Sequence, residues 1–319
     1  RLARLEVVEP PGWQVEATTF NGAPKGAEAA GVYRWQMENL PAIEFEPSAP
    51  SFRSLAPWVG VNLTGPGAKH AMATWADAAK VLAGLNEMAA GSGQDALTAK
   101  ARSLVEGATT DMDKIRAIGH FVQQVNYVSV QTNLARGGGY RPHPADQVFQ
   151  KLYGDCKDKA HLMRTMLKAV GVTAYPVAIY SGDRTHVGSE WPSFGAFNHA
   201  ISAIRVPAGT VAPAAADYPV LGRLLFFDPT DPYVQPGSIP DHEQASLALV
   251  GAPDGGNLVR VPSAAPVAAT HNRTVEATLD AEGGLSGHFA DQRTGEELAA
   301  AVSTFRDSGK TAYMRRMER

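Results

Sequence analysis

The sequence predicts an α+β fold in which a series of helices is followed by buried strands, with further strands at both ends. Apolar residues recur at three- and four-residue steps over about 70–90, 95–105 and 111–125, a spacing typical of helices. Short apolar runs such as 224–227, bounded by turn-forming residues, are typical of strands. We therefore expect a mixed core of helices and strands.

Composition agrees with a folded protein of two or three domains. The chain has 319 residues, a mass of 33.8 kDa, 44% hydrophobic residues and a net charge of −3. Its 29 basic residues are spread along the sequence, which argues against nucleic acid as a partner. A single cysteine excludes an internal disulfide, and no apolar run approaches the roughly 18 residues that span a bilayer.

Three regions are predicted along the chain. Residues 1–66 are rich in Pro and Gly, contain strand-like pieces and are interpreted as the C-terminal part of a β-sandwich domain. Residues 67–265 form the predicted core. Residues 266–319 are predicted to start a second β domain, because a hairpin over about 274–289 should belong to a larger sheet. Helical spacing then follows over 296–306.

The only cysteine, Cys156, lies at the predicted start of a helix. Asp155 is a suitable N-cap and Gly171 a suitable C-terminal cap, which predicts a helix from about Cys156 to Val170. The unpaired N–H groups and dipole of a helix N-terminus stabilise an anion, so this position favours a reactive thiolate. Gly154 is expected to let the backbone turn sharply and to leave space above the sulfur. The alternative is that Cys156 is a small buried hydrophobic residue.

A nucleophilic thiolate needs a base, and the base needs a group that orients it. His199 lies near the start of a predicted strand over 197–204. Asp228 directly follows the apolar run 224–227, and Pro229 ends that strand and holds the carboxylate at its edge. Neighbouring strands would bring the imidazole and the carboxylate together at the N-terminus of the cysteine helix.

Each of these candidates has an alternative. His199 is one of nine histidines, and a single histidine near a strand start is commonly a packing or surface residue. Asp231 competes for the orienting role, although its sequence context is typical of a turn. A zinc site formed by Cys156 and His161 is disfavoured because a five-residue spacing does not place both on one helical face. No metal is therefore expected.

Three motifs resemble the transglutaminase-like branch of the papain-fold cysteine enzymes. They are Gly154-Asp155-Cys156-Lys157-Asp158-Lys159, Asn198-His199-Ala200 and Phe227-Asp228-Pro229-Thr230-Asp231. The segments 126–131 and 137–143 resemble those that precede the cysteine in a bacterial group whose core lies between β domains of unknown function. The resemblance covers about 111–236. It implies a papain-like core of N-terminal helices and a nucleophile helix packed on an antiparallel sheet.

The resemblance also implies a role for each motif residue. Cys156 would be the nucleophile, His199 the general base and acid, and Asp228 the residue that orients the imidazole. The oxyanion formed by thiolate attack needs two donors. The candidates are the backbone N–H of Cys156 and the side chain of Gln131, and the alternative for Gln131 is an ordinary polar residue at a strand end.

The predicted reaction is attack of the thiolate on a peptide-like amide, which gives a thioester that water or an amine then resolves. The sequence does not choose between a cysteine protease or amidase and a transglutaminase. Protein or peptide substrates are expected, with no metal or organic cofactor. The competing hypothesis is a non-catalytic cell-envelope module that binds protein or glycan. A redox thiol is disfavoured because the sequence contains no second cysteine.

Two loops and the chain ends complete the prediction. The loop over 132–144, with glycines at 137–139, is interpreted as a lid or substrate groove, or as a plain flexible loop; its glycines lack the spacing of a phosphate loop. Residues 181–195 are interpreted as a substrate-facing loop or as packing around a tryptophan. A closing hairpin is predicted over 245–262.

The chain begins with Arg1 and has no signal peptide, so it looks like a piece of a longer protein. The bacterial group that it resembles suggests a periplasmic or exported location, with the cytoplasm as the alternative.

Overall fold

The computed structural model of the protein describes residues 2–44, 46–47, 49–67, 72–89, 93–129 and 139–317. The helices within these ranges are α1 (Phe52–Leu55), α2 (Trp75–Glu87), α3 (Asp95–Leu104), α4 (Asp111–Gln123), α5 (Ala145–Lys151), α6 (Cys156–Ala169) and α7 (Gly295–Met317). The strands are β1 (Ala3–Val8), β2 (Gln14–Phe20), β3 (Ala27–Ala29), β4 (Val32–Met37), β5 (Trp58–Thr64), β6 (Asn126–Tyr127), β7 (Tyr153–Gly154), β8 (Ala174–Ile179), β9 (His199–Arg205), β10 (Ala215–Tyr218), β11 (Gly222–Phe227), β12 (Leu247–Val250), β13 (Leu258–Arg260), β14 (His271–Leu279) and β15 (Leu285–Arg293). The α+β class predicted from the sequence is confirmed.

The central sheet contains six antiparallel strands in the order β10-β11-β9-β8-β12-β13. Because neighbouring strands run in opposite directions, β9 begins, β11 ends and β12 begins at the same edge of the sheet. The register places Ile179 opposite His199 and Phe227 opposite Ser202. This common edge brings together three chain segments that are far apart in sequence.

Helix α6 packs on β8 and β9, and helices α3, α4 and α5 pack against α6. Apolar side chains at helical spacing fill the interface. On α6 these are Leu162, Met163, Met166 and Leu167, on α4 Ile115, Ile118 and Val122, and on β11 Leu224, Leu225, Phe226 and Phe227. Burying one such side chain contributes about 1.5–3 kcal/mol, so this layer holds the N-terminus of α6 against the sheet.

The helices predicted within the core are confirmed, with slightly shorter ends. Among the helices and strands of the core, α5, β7, β8 and β10 were not predicted. Helix α5 is only seven residues long, which is too short for a clear periodicity. Strand β8 contains Pro176, and proline within a run argues against a central strand because it lacks an N–H for the ladder. Here the carbonyl of Pro176 still accepts from the N–H of Gly251 at 2.8 Å.

The N-terminal region forms two small antiparallel sheets, one of β1, β4 and β3 and one of β2 and β5. The predicted β character of this region is confirmed, whereas its assignment to a sandwich domain and the boundaries at 66 and 265 stay predictions. The backbone N–H of Ser51 donates to Asp183 at 2.6 Å, and the ring of Trp191 lies against Gly60. These contacts join the N-terminal region to the loop that precedes β9.

At the C-terminal end, β14 and β15 form the predicted hairpin, and α7 extends well beyond the predicted 296–306. Gly309 interrupts α7 with a φ of 74°, a conformation that glycine adopts without strain. The closing hairpin predicted over 245–262 is β12 paired with β13. Among the described residues, every helix is too short or too polar to traverse a bilayer.

Candidate active site

Cys156 is the first residue of α6, as predicted. Asp155 caps the helix: its side chain accepts from the N–H of Asp158, and the Asp158 side chain accepts from the N–H of Asp155. This reciprocal pair satisfies donors that the first turn of a helix leaves unpaired. Lys157 forms an ion pair with Asp155. The thiol is therefore presented by a rigid helix end and is partly exposed.

The expected role of Gly154 was wrong. The turn before α6 falls on Leu152, whose φ is 52°, whereas Gly154 does not have a positive φ. A Cβ at Gly154 would lie 2.7 Å from the Cβ of Asp158 and 3.3 Å from Val148. The glycine thus leaves space for the capping residue Asp158 and for α5, and not for a group above the sulfur.

His143 connects the segment before α5 to the capping residues. Its backbone N–H donates to Asp158 at 2.8 Å, and its Nδ1 lies 3.0 Å from the same carboxylate. Asp158 is almost completely buried, and these contacts together with the N–H of Asp155 supply the hydrogen-bond partners that a buried carboxylate needs. They fix the path of the chain close to Cys156.

The structure brings His199 and Asp228 together at the common edge of the sheet. His199 Nε2 lies 3.0 Å from Asp228 Oδ2, and both side chains are largely buried. Thr230 donates to the same carboxylate, from its N–H at 2.7 Å and from its hydroxyl at 3.0 Å. This turn follows from the Asp-Pro-Thr sequence, in which an aspartate at a strand end accepts from the backbone two residues later.

The Cys156 thiol and the His199 ring line the same cavity, and the thiol is close enough to the ring to raise the pKa of the imidazole. Because Nε2 is engaged by Asp228, Nδ1 is the ring nitrogen left to exchange a proton with the sulfur. Tyr127 lines this cavity as well, and burial and then the neighbouring Cys156 raise the pKa of its phenol. The parallel pairing of β6 with β7, which sets Tyr127 opposite Gly154, brings this phenol beside the thiol.

The electrostatics favour a charged imidazole. Burial lowers the pKa of His199, but the hydrogen bond to Asp228, the neighbouring Cys156 and the charge of Asp228 outweigh it and raise the pKa well above its ordinary value. Burial raises the pKa of Asp228, but the hydrogen bonds and charge of His199 and the donors of Thr230 lower it overall. The pair is thus suited to an imidazolium beside a carboxylate.

Glu243 is a member of this site that the sequence did not indicate. It lies on the short 3-10 helix Asp241–Glu243, is completely buried, and places Oε1 3.5 Å from His199 Nε2. Burial, and then the charge of Asp228, raise its pKa well above the ordinary value. The sequence around it reads as a polar turn, and only the pairing of β12 with β8 brings that turn to the common edge.

Two other predicted residues have different outcomes. Asp231, the competitor for the orienting role, accepts from the N–H groups of Tyr233 at 2.7 Å and Val234 at 3.2 Å. It is the turn residue that its context indicated, and Asp228 is the carboxylate nearest to His199 Nε2. Gln131 and the glycines at 137 and 138 lie outside the described residues, so their predicted roles stay predictions.

A cavity of about 200 Å³ opens beside Cys156 and His199. Its walls are mainly apolar and aromatic, and include Leu82, Tyr140, Val177, Ala178 and Phe197. A larger cavity of about 880 Å³ is lined by His161, Arg164 and Lys168 but contains neither Cys156 nor His199. The smaller cavity is the one that a substrate of the thiol would occupy, because only its wall carries the sulfur.

The structure offers one arrangement, within its described residues, that resembles a metal-binding set. Atoms of His199, Asp228 and Glu243 lie within 4.8 Å of one another. The Asp228 oxygen in this set already accepts from His199 and Thr230, so hydrogen bonding accounts for the arrangement and we assign it to proton chemistry. His161 faces the larger cavity and does not share a site with Cys156.

The loop over 181–195 packs on the N-terminal region. Trp191 lies against Gly60, and His186 stacks on Tyr180 and approaches the Ser51 hydroxyl at 3.4 Å. Of the two predicted uses, packing is the one that these contacts support. Phe194 packs with its ring centroid 5.0 Å from that of Tyr140, a residue that lines the smaller cavity.

Comparison with known proteins agrees with this architecture. Residues 98–210 match the model of the Transglutaminase-like superfamily. No curated protein matches the sequence. A crystal structure described as a "putative protease" from Parabacteroides distasonis superposes with a TM-score of 0.54 at 15% identity, over 82% of this chain and 45% of that chain. The protein thus spans less than half the length of that relative.

A second solved structure, described as a "putative cysteine protease" from Cytophaga hutchinsonii, has 12% identity over 89% of this chain and 79% of that chain. Its TM-score is 0.32, too low to show a shared fold. The first likeness shows the fold, and the family match covers the helices and strands that hold Cys156 and His199. Over residues 98–210 the chain is therefore similar to the core of the Transglutaminase-like superfamily.

Proposed function

We propose that the protein is a thiol-dependent enzyme that acts on peptide-like amides, with Cys156 as nucleophile, His199 as general base and acid, and Asp228 as the residue that orients the imidazole. The observation that carries the proposal is the placement of the Cys156 thiol beside His199, whose Nε2 lies 3.0 Å from the buried Asp228 carboxylate. A thiol, an imidazole and a carboxylate connected in this order are the parts that nucleophilic acyl transfer needs.

The proposed reaction has two steps. His199 takes the thiol proton, and the thiolate attacks the amide carbonyl to form a C–S bond while the carbonyl electron pair moves to oxygen. The tetrahedral intermediate collapses, the C–N bond breaks and the leaving amine takes the proton from His199. In the second step, water or an amine gives its proton to His199 and attacks the thioester, and the sulfur leaves as the thiolate.

The developing oxyanion needs donors. The backbone N–H of Cys156 is at the helix N-terminus, where N–H groups lack intrahelical partners. The predicted second donor, Gln131, lies outside the described residues. The Tyr127 hydroxyl, already beside the sulfur, is a further candidate for this role.

The expected substrate is a peptide or protein segment. The apolar and aromatic walls of the 200 Å³ cavity suit a side chain next to the reacting amide better than a charged group. Hydrolysis by water and transfer to an amine both remain part of the proposal, as does the expected periplasmic or exported location.

The test is the pH dependence of Cys156 alkylation by iodoacetamide in the folded protein, compared with His199→Ala. We expect the wild-type rate to stay high well below pH 7, because an imidazolium stabilises the thiolate, and to fall at that pH in the variant. Amide donors would then be screened with water and with a primary amine as acceptor.

An alkylation rate that rises only near pH 8.5, the value of an ordinary thiol, and is unchanged in His199→Ala would contradict the proposal. That outcome would favour the competing hypothesis of a binding module built on a transglutaminase-like core. A non-catalytic scaffold does not need a thiol and an imidazole in contact.

A further inference from the structure

The geometry points to Glu243 as a positioning residue of this site: it holds a proton and donates it to the Asp228 carboxylate, so that Asp228 alone orients His199. This inference rests on the proposed function and extends it to a fourth side chain. It starts from the burial of Glu243 and from the partners that its two oxygens lack.

Glu243 is fully buried, and among the described residues no N–H or O–H group donates to either of its oxygens. A buried carboxylate without donors is strongly unfavourable, whereas the neutral acid needs only one acceptor for its proton. Asp228 can be that acceptor, since an oxygen of its carboxylate and an oxygen of Glu243 lie within 4.8 Å of each other. The pocket around Glu243 is therefore built for the protonated form.

The two carboxyl groups differ in their surroundings. Asp228 accepts from the Thr230 N–H, the Thr230 hydroxyl and His199 Nε2, which are donors suited to an anion. Glu243 has none of these. When two neighbouring carboxyl groups share one proton, it stays on the group whose anion is less stabilised. That group is Glu243.

The other charges near the pair reinforce this distribution. Asp228 and Asp231 on the turn after β11 both disfavour a negative Glu243, whereas His199 on β9 favours it. Lys159 on α6 interacts with Asp228, and Glu296 at the start of α7 interacts with Asp231 and Asp241. Among the described residues, His199 is the basic group that lies within 4.0 Å of a Glu243 oxygen.

A protonated Glu243 has a definite consequence for His199. If Glu243 were ionised, two carboxylates at 3.0 and 3.5 Å would compete for Nε2 and would hold the proton of the imidazolium more tightly. General acid catalysis requires that proton to be released to the leaving amine. A neutral Glu243 leaves one acceptor, fixes the ring plane and avoids this excess charge.

The experiment compares the pH profile of Cys156 alkylation in the wild type, Glu243→Gln and Glu243→Leu. Glutamine is neutral and can present its N–H to Asp228, so we expect the wild-type profile. Leucine has similar size but no donor, and we expect the rate at pH 6 to fall about fivefold, the effect of one lost hydrogen bond. Ser246→Ala is the matched control, because Ser246 is equally buried in the same turn with an unpartnered hydroxyl.

The outcomes separate this inference from the proposed function. A Glu243→Gln profile displaced to higher pH by about one unit would show that the wild-type residue is ionised and would overturn the inference. A Glu243→Leu variant with the wild-type rate would overturn it too. A wild-type protein that alkylates like an ordinary thiol would overturn the proposed function and with it this role for Glu243.

Two further measurements keep the test decisive. Thermal unfolding shows whether Glu243→Leu is folded, and if it is not, the glutamine variant alone decides between the neutral and the charged residue. Metal analysis of the purified protein is the second measurement. One equivalent of bound metal that is lost in Glu243→Gln would overturn the inference, because the carboxylate would then be a ligand and not a proton donor.

Discussion

Asp228 depends on its immediate neighbours for its charge. Its side chain is almost completely buried, a setting in which a carboxylate is costly unless donors surround it. Thr230 supplies two donors and His199 a third, so the anion is well stabilised. Asp231, three residues later, uses its carboxylate for backbone N–H groups of the turn. Two acidic residues in one motif thus have separate roles.

Replacing each of these aspartates should give different results. Asp228→Asn removes the charge that stabilises the His199 imidazolium, so we expect alkylation of Cys156 at pH 6 to fall by about ten- to a hundredfold. Asp231→Asn keeps an oxygen for the turn and should leave the rate within about twofold of the wild type. Equal losses in the two variants, measured on proteins with matched melting temperatures, would contradict the distinction.

At the scale of single elements, α4 and α6 start with the same device. Thr110 and Asp113 form a capping box at α4, as Asp155 and Asp158 do at α6. Each box satisfies donors of a first helical turn. Only the box at α6 stands next to Cys156, so the two helices provide a matched comparison of stability and site geometry.

The capping residues can be exchanged one at a time. Thr110→Ala and Asp155→Ala should each lower the free energy of unfolding by about 1 kcal/mol, measured by urea denaturation. Only Asp155→Ala should also slow the alkylation of Cys156, because it loosens the turn that carries the thiol. If Thr110→Ala slowed alkylation as much, the change would reflect global stability and not the helix start.

Lys159 connects the same two helices. Its ammonium group is buried and donates to the carbonyls of Val125 at 2.7 Å, just beyond the end of α4, and of Gln123 at 3.3 Å, its last residue. Burial lowers its pKa from 10.5 to about 8, against the opposing effect of Asp228. Between these two values the unfolded chain holds a proton on this lysine and the folded chain mostly does not. Stability from this group therefore rises as pH rises through this window.

The prediction for Lys159 follows from that sign. Between pH 7.5 and 9.5, the free energy of unfolding of the wild type should rise relative to Lys159→Met by roughly 2 kcal/mol. Urea unfolding at the two pH values measures the difference. Below pH 7 the difference should become constant, because both states then hold the proton. A difference that stays constant from pH 7.5 to 9.5 would show that the buried lysine keeps its ordinary pKa.

At the scale of the whole molecule, the site forms where α6 meets one edge of the central sheet. The N-terminal sheets lie elsewhere and contact the loop over 181–195, where Trp191 packs on Gly60 and Ser51 donates to Asp183. This loop leads directly into β9, which begins with His199. The N-terminal region therefore supports the segment before the proposed base, and none of its described residues lines the smaller cavity.

Gly60 is the position that tests this support. A Cβ there would lie 2.6 Å from the Trp191 ring, so Gly60→Ala should destabilise the protein by about 1–3 kcal/mol and alter tryptophan fluorescence. The alkylation rate of Cys156 should stay close to the wild type. Gly84→Ala is the control, since Gly84 lies in α2 with open space around it. The free energy of unfolding of this variant should be unchanged or slightly higher. Equal effects in both variants would rule out the packing explanation.

The sequence by itself determined the local parts of this protein. Helical periodicity, the capping sequence at Asp155 and the Asp-Pro-Thr turn after β11 are encoded within a few residues. The helix start at Cys156, the strand start at His199 and the strand end at Asp228 could be predicted for that reason. The same local signals failed at β8, where Pro176 argued against a central strand. They also failed at Gly154, because the need for glycine there comes from packing against Asp158 and Val148.

Only the tertiary structure decided which of these parts meet. The antiparallel order of the sheet brings the start of β9, the end of β11 and the turn before β12 to one edge, and the β6–β7 pair brings Tyr127 to the thiol. Glu243 therefore had no signal in the sequence, and Tyr127 was indicated only as part of the segment 126–131. Hydrogen bonds and buried charges depend on distances between segments far apart in the chain, and those distances are fixed by strand pairing and core packing rather than by local spacing.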